Sequence, residues 1–263
     1  MVQRWQARAL CVIAWAVSGA AQAHDIISTD RPDVVESSDV VGKGRFQIET
    51  SYAVEREAKD QPRSRTHATP TLLRIGLGET TELRLETDGL MRVNTWEGGQ
   101  QSTQRGTADT AVGLKWHVRT PPEGEAGPSM AWLFHFDLPS GTPPFRSQGI
   151  RPSARLVGEW DLGGVSMGLM PGLYVDHNDD NKRYVGGIFA ATVSTSLADR
   201  LRGFVEFAGQ QLTGRKNGGN VVTLDGGLAY LITDEVQVDV AGAKGLSKAT
   251  PRQQWTVGLS IRY

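Results

Sequence analysis

The residues best suited to chemistry are arginines and carboxylates that alternate with apolar residues in short segments. Arg74, Arg84 and Glu206 each stand between two apolar neighbours. In an extended strand this spacing places the charges on one face and the apolar side chains on the other. Charged rings of this kind set size and charge preference in channels, so the polar face is predicted to line a lumen. The predicted lumen-lining residues are Glu49, Arg74, Arg84, Glu86, Arg155, Glu159, Arg202, Glu206, Asp225 and Asp239, and Arg262 shares their face.

The sequence shows no pattern that would support catalysis, a metal ion or a cofactor. Its five histidines do not pair at metal-ligand spacing, and His117 and His135 fall on the polar face of their segments. The loop HNDDNKR (177–183) resembles a calcium loop in composition only, because it lacks the glycine and the distal glutamate of an EF-hand. The glycines of GRKNGGN (214–220) belong to a loop tip and not to a phosphate cradle before a helix. We therefore predict a non-enzyme with no catalytic residue, metal or cofactor.

The elements that must position the charges are about twelve alternating segments, of which AVGLKWHV (111–118) is typical. Alternating segments of about ten residues characterise transmembrane barrels, whose tight turns lie at one rim and longer loops at the other. The connection 120–127 is long for a tight turn and marks the least regular hairpin. The pattern predicts an all-β fold, a transmembrane antiparallel up-and-down β-barrel of the bacterial outer membrane over residues 45–263. Tight turns are predicted at 78–81, 161–164, 197–200 and 233–235, and longer loops at 57–65, 94–105, 139–150, 177–182 and 212–220.

A secreted β-sandwich or jelly roll is the alternative fold, because its strands also alternate between apolar and polar residues. Three features favour the membrane barrel. The segments exceed the usual strand length of about 5–6 residues. Their polar face is rich in both arginine and carboxylate, as a wet lumen would be. Aromatic residues stand near strand ends on the apolar face, where aromatic girdles meet the membrane interfaces; these are Trp116, Trp132, Trp160, Trp255 and Tyr263.

The final segment, WTVGLSIRY (255–263), alternates up to an aromatic residue. An alternating strand that ends in an aromatic resembles the C-terminal signal recognised by the outer-membrane barrel assembly machinery. Tyr263 is therefore predicted to belong to an assembly signal. A closed barrel leaves no free strand edge, so this segment should pair with the first predicted strand, residues 46–55.

The first 23 residues have the features of a secretory signal peptide. Arg4 and Arg8 form a positive n-region, an apolar run covers 10–17, and AQA (21–23) satisfies the cleavage rule. Cleavage after Ala23 removes the one cysteine of the chain and changes the formal charge from −1 to −3. A slightly acidic exported chain has no electrostatic footprint for nucleic acid. The expected partners are the lipid bilayer, the barrel assembly machinery and a small-molecule solute.

The segment between the signal peptide and the first strand, residues 24–44, is acidic and poor in apolar residues. Its five acidic residues outnumber its two basic residues, Arg31 and Lys43. Pro32 prevents a regular helix through its middle. One interpretation is a flexible periplasmic leader. The other is a plug that folds into the lumen, where its carboxylates pair with Arg74, Arg84, Arg155 or Arg202. The candidate plug residues are Asp30, Arg31, Pro32, Asp33 and Glu36.

The stretch STDRPDVVESSDVVGKGRFQIETSY (28–52) is similar to the opening of an outer-membrane transporter family associated with the meta-pathway of phenol degradation. Members share a T-D-R-P and E-S pattern followed by Gly-x-x-Q-x-E at the first strand. A second similar motif is DLPSG (137–141), while the proline usual a few residues after Glu36 is replaced here by Ser38 or Asp39. The resemblance implies an outer-membrane transporter with a link to aromatic compounds. The matching residues are Thr29, Asp30, Arg31, Pro32, Glu36, Ser37, Gly44, Gln47 and Glu49.

Three functions remain open at this point. The first is a passive outer-membrane transporter or channel for small solutes of aromatic or hydrophobic type. The second is a barrel without transport, a structural or surface-exposed protein whose inner charges only pair with one another and fill the lumen. The third, and least favoured, is an outer-membrane enzyme, for which no nucleophile and base stand out in the sequence.

Overall fold

The computed structural model describes residues 26–58, 63–122 and 124–263. The predicted signal peptide and its cleavage site lie outside the described residues. No helix among the described residues has the length and apolar character needed to cross a membrane. The strands are β1 (Phe46–Ala58), β2 (Arg63–Ala68), β3 (Thr71–Gly76), β4 (Thr81–Thr87), β5 (Leu90–Glu97), β6 (Gln100–Thr107), β7 (Thr110–Arg119), β8 (Ser129–Leu138), β9 (Arg151–Asp161), β10 (Val165–His177), β11 (Arg183–Ala198), β12 (Leu201–Leu212), β13 (Val221–Thr233), β14 (Val236–Gly245) and β15 (Pro251–Arg262).

Twelve of these strands form a closed antiparallel barrel. The wall strands pair in the order β1, β3, β4, β7 and then β8 through β15. The barrel closes because β15 pairs with β1, which places Gln47 opposite Arg262 and Val54 opposite Trp255. The predicted twelve-stranded barrel and the predicted pairing of the last strand with the first are confirmed.

Strands β2, β5 and β6 extend the wall beyond one rim. β2 continues into β3, β4 into β5 and β6 into β7, each after a break of two residues, and β5 pairs with both β2 and β6. The predicted loop at 94–105 is therefore wrong, because this stretch forms a β-hairpin that turns at Gly98 and Gly99, both with positive φ. The hairpin has no apolar face, so its sequence lacks the pattern of a membrane strand. A hairpin in water needs only paired backbone groups.

The barrel has an apolar outer surface and a mainly polar interior, which also holds an apolar cluster around Val35. The largest fully buried side chains include Arg74, Glu82 and Lys115, none with measurable exposure. Apolar side chains that alternate with them face outward, such as Val193 at 51% and Trp255 at 57% exposure. This is the reverse of a globular domain and is the arrangement that a membrane barrel requires.

The two rims differ in the length of their connections. Tight turns join the wall strands at 77–80, 162–164, 199–200 and 234–235, and the irregular connection 120–128 lies at the same rim. The opposite rim carries the loops 139–150, 178–182, 213–220 and 246–250. In outer-membrane barrels the short turns are periplasmic and the long loops extracellular. The tight-turn rim is therefore the periplasmic one.

The register of β11 can be tested by placing a charge on each of its faces. Val193 is 51% exposed on the outer face, whereas the adjacent Ser194 is 8% exposed on the inner face. Val193→Arg should destabilise the barrel by about 2–4 kcal/mol, because the guanidinium would lie in the hydrocarbon layer. Ser194→Arg should cost less, since its charge can reach lumen water. Urea titrations in lipid vesicles give both unfolding free energies.

The two variants form a matched pair, because each adds one arginine at a neighbouring position of the same strand. Gly168 would be a poorer inner-face control. A Cβ atom at Gly168 would lie 2.8 Å from the Cγ1 atom of Val35. A greater loss of stability for Ser194→Arg than for Val193→Arg would mean that the strand is shifted by one residue.

Candidate functional site

The N-terminal segment, residues 26–45, lies inside the barrel. Near its start the amide of Ile27 donates to the carbonyl of Asp234, 2.7 Å away in the turn between β13 and β14. Near its end the amide of Gly44 donates to the carbonyl of Gly76 at 3.0 Å, beside the turn between β3 and β4. Both contacts lie at the tight-turn rim. The segment therefore enters and leaves the interior by that rim, and its middle lies within the lumen.

The carboxylate of Asp30 is the centre of a buried charge cluster. Lys115 Nζ lies 2.8 and 2.9 Å from its two oxygens. Arg84 donates to Asp30 Oδ2, and Arg74 Nη1 lies 3.4 Å from the same oxygen. Strands β3, β4 and β7 each supply one cation, because the alternation of every strand turns one basic residue inward at this height.

The electrostatics of Asp30 follow from this cluster. Burial raises the pKa of Asp30, but the three cations outweigh burial, Arg74 most strongly, and hold this pKa well below its usual range. Because folding lowers the pKa, the ionised carboxylate contributes stability above its unfolded pKa of about 3.9. That contribution is lost as the pH falls through the folded value. The segment is therefore held by an ionised group throughout the neutral and mildly acidic range.

Two members of the cluster were missed at the level of sequence. Glu82 accepts hydrogen bonds from Arg74 Nε at 2.8 Å and from Arg84 Nη1 at 3.0 Å, and it is fully buried. Lys115 is equally buried. Both residues occupy polar positions of alternating segments, so the same pattern that identifies Arg74 and Arg84 would have identified them.

Further ion pairs fix the segment on either side of Asp30. The carboxylate of Asp33 pairs with Arg202 through two hydrogen bonds of 2.9 Å. Glu36 accepts one from Arg84 at 2.6 Å and one from Arg155 at 2.7 Å. Bidentate arginine and carboxylate pairs are both strong and directional, so these contacts set the orientation of the segment as well as its position.

Wall carboxylates also bind the backbone of the segment. Glu206 accepts hydrogen bonds from the amides of Val34 and Val35, each at 2.7 Å. Glu49 accepts one from the amide of Asp30 at 3.0 Å, and Glu159 one from the amide of Ser38. An irregular buried chain cannot satisfy its own N–H groups. The inward carboxylates supply the acceptors that a regular strand would have found in its neighbour.

Other predicted lumen residues lie apart from these contacts or bind the segment at its edge. Asp239 accepts a hydrogen bond from Arg31 at 3.1 Å. Asp225 accepts one from Thr223 on its own strand, and Arg262 donates to Glu235 at 2.6 Å near the tight-turn rim. Glu86 lies above the cluster, with 43% of its side chain exposed to the space between the segment and the long loops.

The segment lies between two water-accessible spaces. On the long-loop side is a cavity of about 490 Å³, and a second of about 350 Å³ shares five lining residues with it. We call these two together the outer chamber. On the tight-turn side is the inner cavity, of about 560 Å³. Asp33 lines both sides. The residues shared within the outer chamber are Glu86, Thr87, Asp88, Asp137 and Arg155.

The loop 139–150 lies beside the outer chamber and is anchored by Asp109. The Asp109 carboxylate accepts hydrogen bonds from the amides of Gly141 and Ser147, each at 2.9 Å. Burial raises the pKa of Asp109, but its hydrogen bonds with Ser147 and Gly141 outweigh burial and lower this pKa. A Cβ atom at Gly141 would lie 2.8 Å from the carbonyl oxygen of Thr107. The glycine of the DLPSG motif therefore permits the close approach that brings Phe145 to the chamber.

Two inward histidines are engaged in hydrogen bonds, His117 with the segment and His135 with another wall residue. His117 Nδ1 lies 2.9 Å from the carbonyl oxygen of Ser38. His135 Nε2 accepts a hydrogen bond from Arg84 at 3.2 Å. In the described part of the chain, no group of three or more histidine, cysteine, aspartate or glutamate residues is arranged to hold a metal ion.

Comparisons with known proteins agree with this architecture. The model of the family described as "Putative MetA-pathway of phenol degradation" matches residues 29–263. Among solved structures, the chain is similar to a KdgM porin in complex with disordered oligogalacturonate, with a TM-score of 0.52, 13% identity, and coverage of 82% of this chain and 98% of that chain. It is similar to a NanC porin with a TM-score of 0.52, 9% identity and the same coverage. At these identities the likeness shows the fold, an outer-membrane barrel. No curated protein matches the chain.

The role of Asp30 in holding the segment can be tested by removing its charge. Asp30→Asn leaves three buried cations with less negative charge to balance them, and breaking a buried ion pair in this way costs about 3–5 kcal/mol. The segment should then leave the wall. A thiol introduced by Ser37→Cys reports this, because Ser37 is 7% exposed. Its labelling by a water-soluble maleimide should accelerate by about tenfold or more when Asp30→Asn is added.

Asp39→Asn is the matched control, since it removes the same charge from the same segment. Asp39 is exposed, and its carboxylate makes no hydrogen bond or ion pair with any described residue. The native Cys11 belongs to the predicted signal peptide, so the introduced thiol would be the one target in the mature chain. Equal labelling rates for the two variants would show that Asp30 does not hold the segment.

Proposed function

This chain belongs to the phenol-degradation family whose model matches residues 29–263, and from that premise we propose that it is a passive outer-membrane transporter for small solutes of aromatic or hydrophobic type. The observation that carries the proposal is the position of the N-terminal segment between the outer chamber and the inner cavity. Twelve strands enclose more space than an eight-stranded barrel filled by side chains and less than a porin. A chain folded into that space leaves a narrow path.

Within this proposal, residues 26–45 act as a plug, and Asp30, Arg31, Asp33 and Glu36 dock it to the wall. Each of these four residues makes an ion pair with the wall. Pro32 keeps the chain irregular at this point, so that neighbouring side chains reach different strands. The inward charges then have two roles. Glu86 faces the solute, and Arg155 has both roles, because it pairs with Glu36 and lines the outer chamber. The residues that position the plug alone are Glu49, Arg74, Arg84, Glu159, Arg202, Glu206 and Asp239.

The lining of the outer chamber supports a solute with an aromatic ring and a hydroxyl group. Ile188, which is 9% exposed, offers a small apolar surface on one side, and Phe145 offers apolar surface near the loop 139–150. Glu86 and Asp137 offer acceptors for a hydroxyl proton. Ligand sites combine apolar walls with a few polar groups in this manner. The description of the family supports an aromatic solute independently, and flux would follow the concentration gradient.

A non-transporting barrel is the second candidate, and the density of ion pairs around the segment favours it. If the plug filled the lumen completely, the barrel would serve only as a structural or surface-exposed protein. An enzyme is less well supported, because His117 is engaged with the carbonyl of Ser38 in the segment and His135 with Arg84 in the wall. Conductance separates the first two candidates directly.

We also propose that Tyr263 is read by the barrel assembly machinery. Its side chain is 63% exposed and stacks on Phe46 across the closing seam, with ring centroids 4.9 Å apart. Tyr263 is therefore both accessible to a partner and part of the wall. The neighbouring Arg262 faces inward with 7% exposure.

Deletion of residues 26–40 should raise the single-channel conductance in planar bilayers. The deletion removes the plug and joins the outer chamber to the inner cavity, so the narrowest part of the path widens. We expect an increase of about threefold or more, because ion flow follows the cross-section of the pore. Phenol added to one side should interrupt the current of the intact protein more than cyclohexanol does, and this preference should weaken in the deletion variant.

Deletion of residues 215–219 provides the control, because it shortens a long loop without touching the segment. Both variants are first checked for heat-modifiable migration, which reports a folded barrel. A silent intact protein with an open deletion variant would favour the non-transporting barrel. Equal conductance of the intact protein and the folded 26–40 deletion would show that the segment does not restrict the path.

The assembly proposal predicts different results in cells and in detergent. Tyr263→Asp should reduce folded protein in the outer membrane severalfold, whereas Tyr263→Phe should not, because the aromatic ring is kept. Both purified variants should refold in detergent to similar extents if recognition is the affected step. Failure of Tyr263→Asp in detergent as well would assign the residue to closure of the seam instead.

A further inference from the structure

A second site lies on the outer wall, away from the lumen. A cleft of about 890 Å³ opens there across β13, β14, β15 and the end of β1. Two rows of directly paired residues run across these strands, and all of them except Val54 line the cleft. Paired residues of neighbouring strands project to the same side of a sheet. The rows are Gly226, Gly242, Trp255 and Val54, and then Leu224, Lys244, Gln253 and Arg56.

The exposure of these rows shows that they face the membrane. Trp255 is 57% exposed and Leu224 is 48% exposed. The other outward apolar residues of the barrel are exposed in the same way. A Cβ atom at Gly242 would lie 2.9 Å from the indole ring of Trp255. The indole therefore lies flat over the glycine, and the row of small residues beside it leaves an apolar recess.

The height of the two rows places them at the extracellular interface. Trp255 lies eight residues before Tyr263, which stands at the tight-turn rim. At about 3.3 Å per residue and a tilt of about 40°, this lifts Trp255 by about 20 Å. The row with Arg56 and Lys244 is two residues farther, at about 25 Å, which is the height of the apolar band of such barrels.

The upper row carries two cations, Arg56 and Lys244. Arg56 and Lys244 are exposed, and neither makes an ion pair or side-chain hydrogen bond within the described part of the chain. Lys248, Arg252 and Ser247 also line the cleft, from the loop above it and the start of β15. Outward cations at this height have no role in the lumen. They stand where the headgroups of the outer leaflet lie.

We propose that this cleft binds a phosphate-bearing lipid of the outer leaflet, the phosphorylated glycolipid that faces outward in bacterial outer membranes. Arg56 and Lys244 hold a phosphate of the headgroup, since guanidinium and ammonium groups are the usual partners of phosphate. Gln253 donates a hydrogen bond to a sugar or phosphate oxygen. One acyl chain follows the recess at Gly226, beside the indole of Trp255 that covers Gly242.

The test uses the intact purified barrel in detergent and native mass spectrometry with diphosphoryl lipid A as the probe. The paired substitution Arg56→Gln and Lys244→Gln should weaken binding by about tenfold or more, because each basic residue contributes to headgroup binding. Arg56→Lys, which keeps the charge, should retain most of the affinity. Phosphatidylcholine, whose headgroup has no net charge, should bind the intact protein less than lipid A does.

The matched control removes two positive charges elsewhere at the same rim, by Lys182→Gln in the loop between β10 and β11 and by Arg183→Gln at the start of β11. These variants should bind lipid A as the intact protein does. Equal weakening by both pairs of substitutions would overturn the proposal, since binding would then follow total charge. Displacement of lipid A by inorganic phosphate at equal concentration would also overturn it, because the site would then recognise a free anion. Heat-modifiable migration confirms that every variant is folded.

Discussion

The ionised carboxylate of Asp30 among three buried cations is the interaction on which the interior of this barrel depends. Charges removed from water are costly unless they are paired and fully hydrogen-bonded. Arg74, Arg84 and Lys115 meet this condition only while the N-terminal segment is present, because that segment brings Asp30 to them. The dependence is mutual, since the segment has no regular backbone pairing of its own. Wall and segment therefore form one cooperative unit.

This dependence changes the meaning of the inward charges. In an open channel a ring of arginines and carboxylates acts on the solute. Here Glu49, Glu206 and Arg202 are occupied by the segment, through backbone amides or through Asp33. The charges that remain available lie higher, in the outer chamber, with Glu86 and Asp137 among them. Selection of a solute, in the function that we propose, is therefore a property of this chamber and of the loop that Asp109 anchors beside it.

The sequence predicted the wall well because the residue pattern of a barrel strand shows which of its faces meets the lipid. Alternation assigns each side chain to the lumen or to the lipid, and closure requires the last strand to meet the first. The sequence could name the carboxylates of the segment and the arginines Arg74, Arg84, Arg155 and Arg202 as two sets. It could not assign partners within them, because the shear of the barrel decides which inward residues share a height. Alternation is enough to place Glu82 and Lys115 in the lumen, but it does not show that they join the cluster around Asp30.

The hairpin of β5 and β6 shows where alternation stops being informative. Membrane strands are recognisable because a strand in contact with lipid needs an apolar face. A strand in water does not need one. A polar stretch such as QQSTQR (100–105) can therefore be strand or loop with equal ease. The apolar pattern is also what makes the cleft on the outer wall recognisable. Arg56 and Lys244 lie on the outward face of strands that are otherwise apolar, at the height where lipid gives way to headgroups. These two outward cations are informative because the other outward residues around them follow the apolar pattern so regularly.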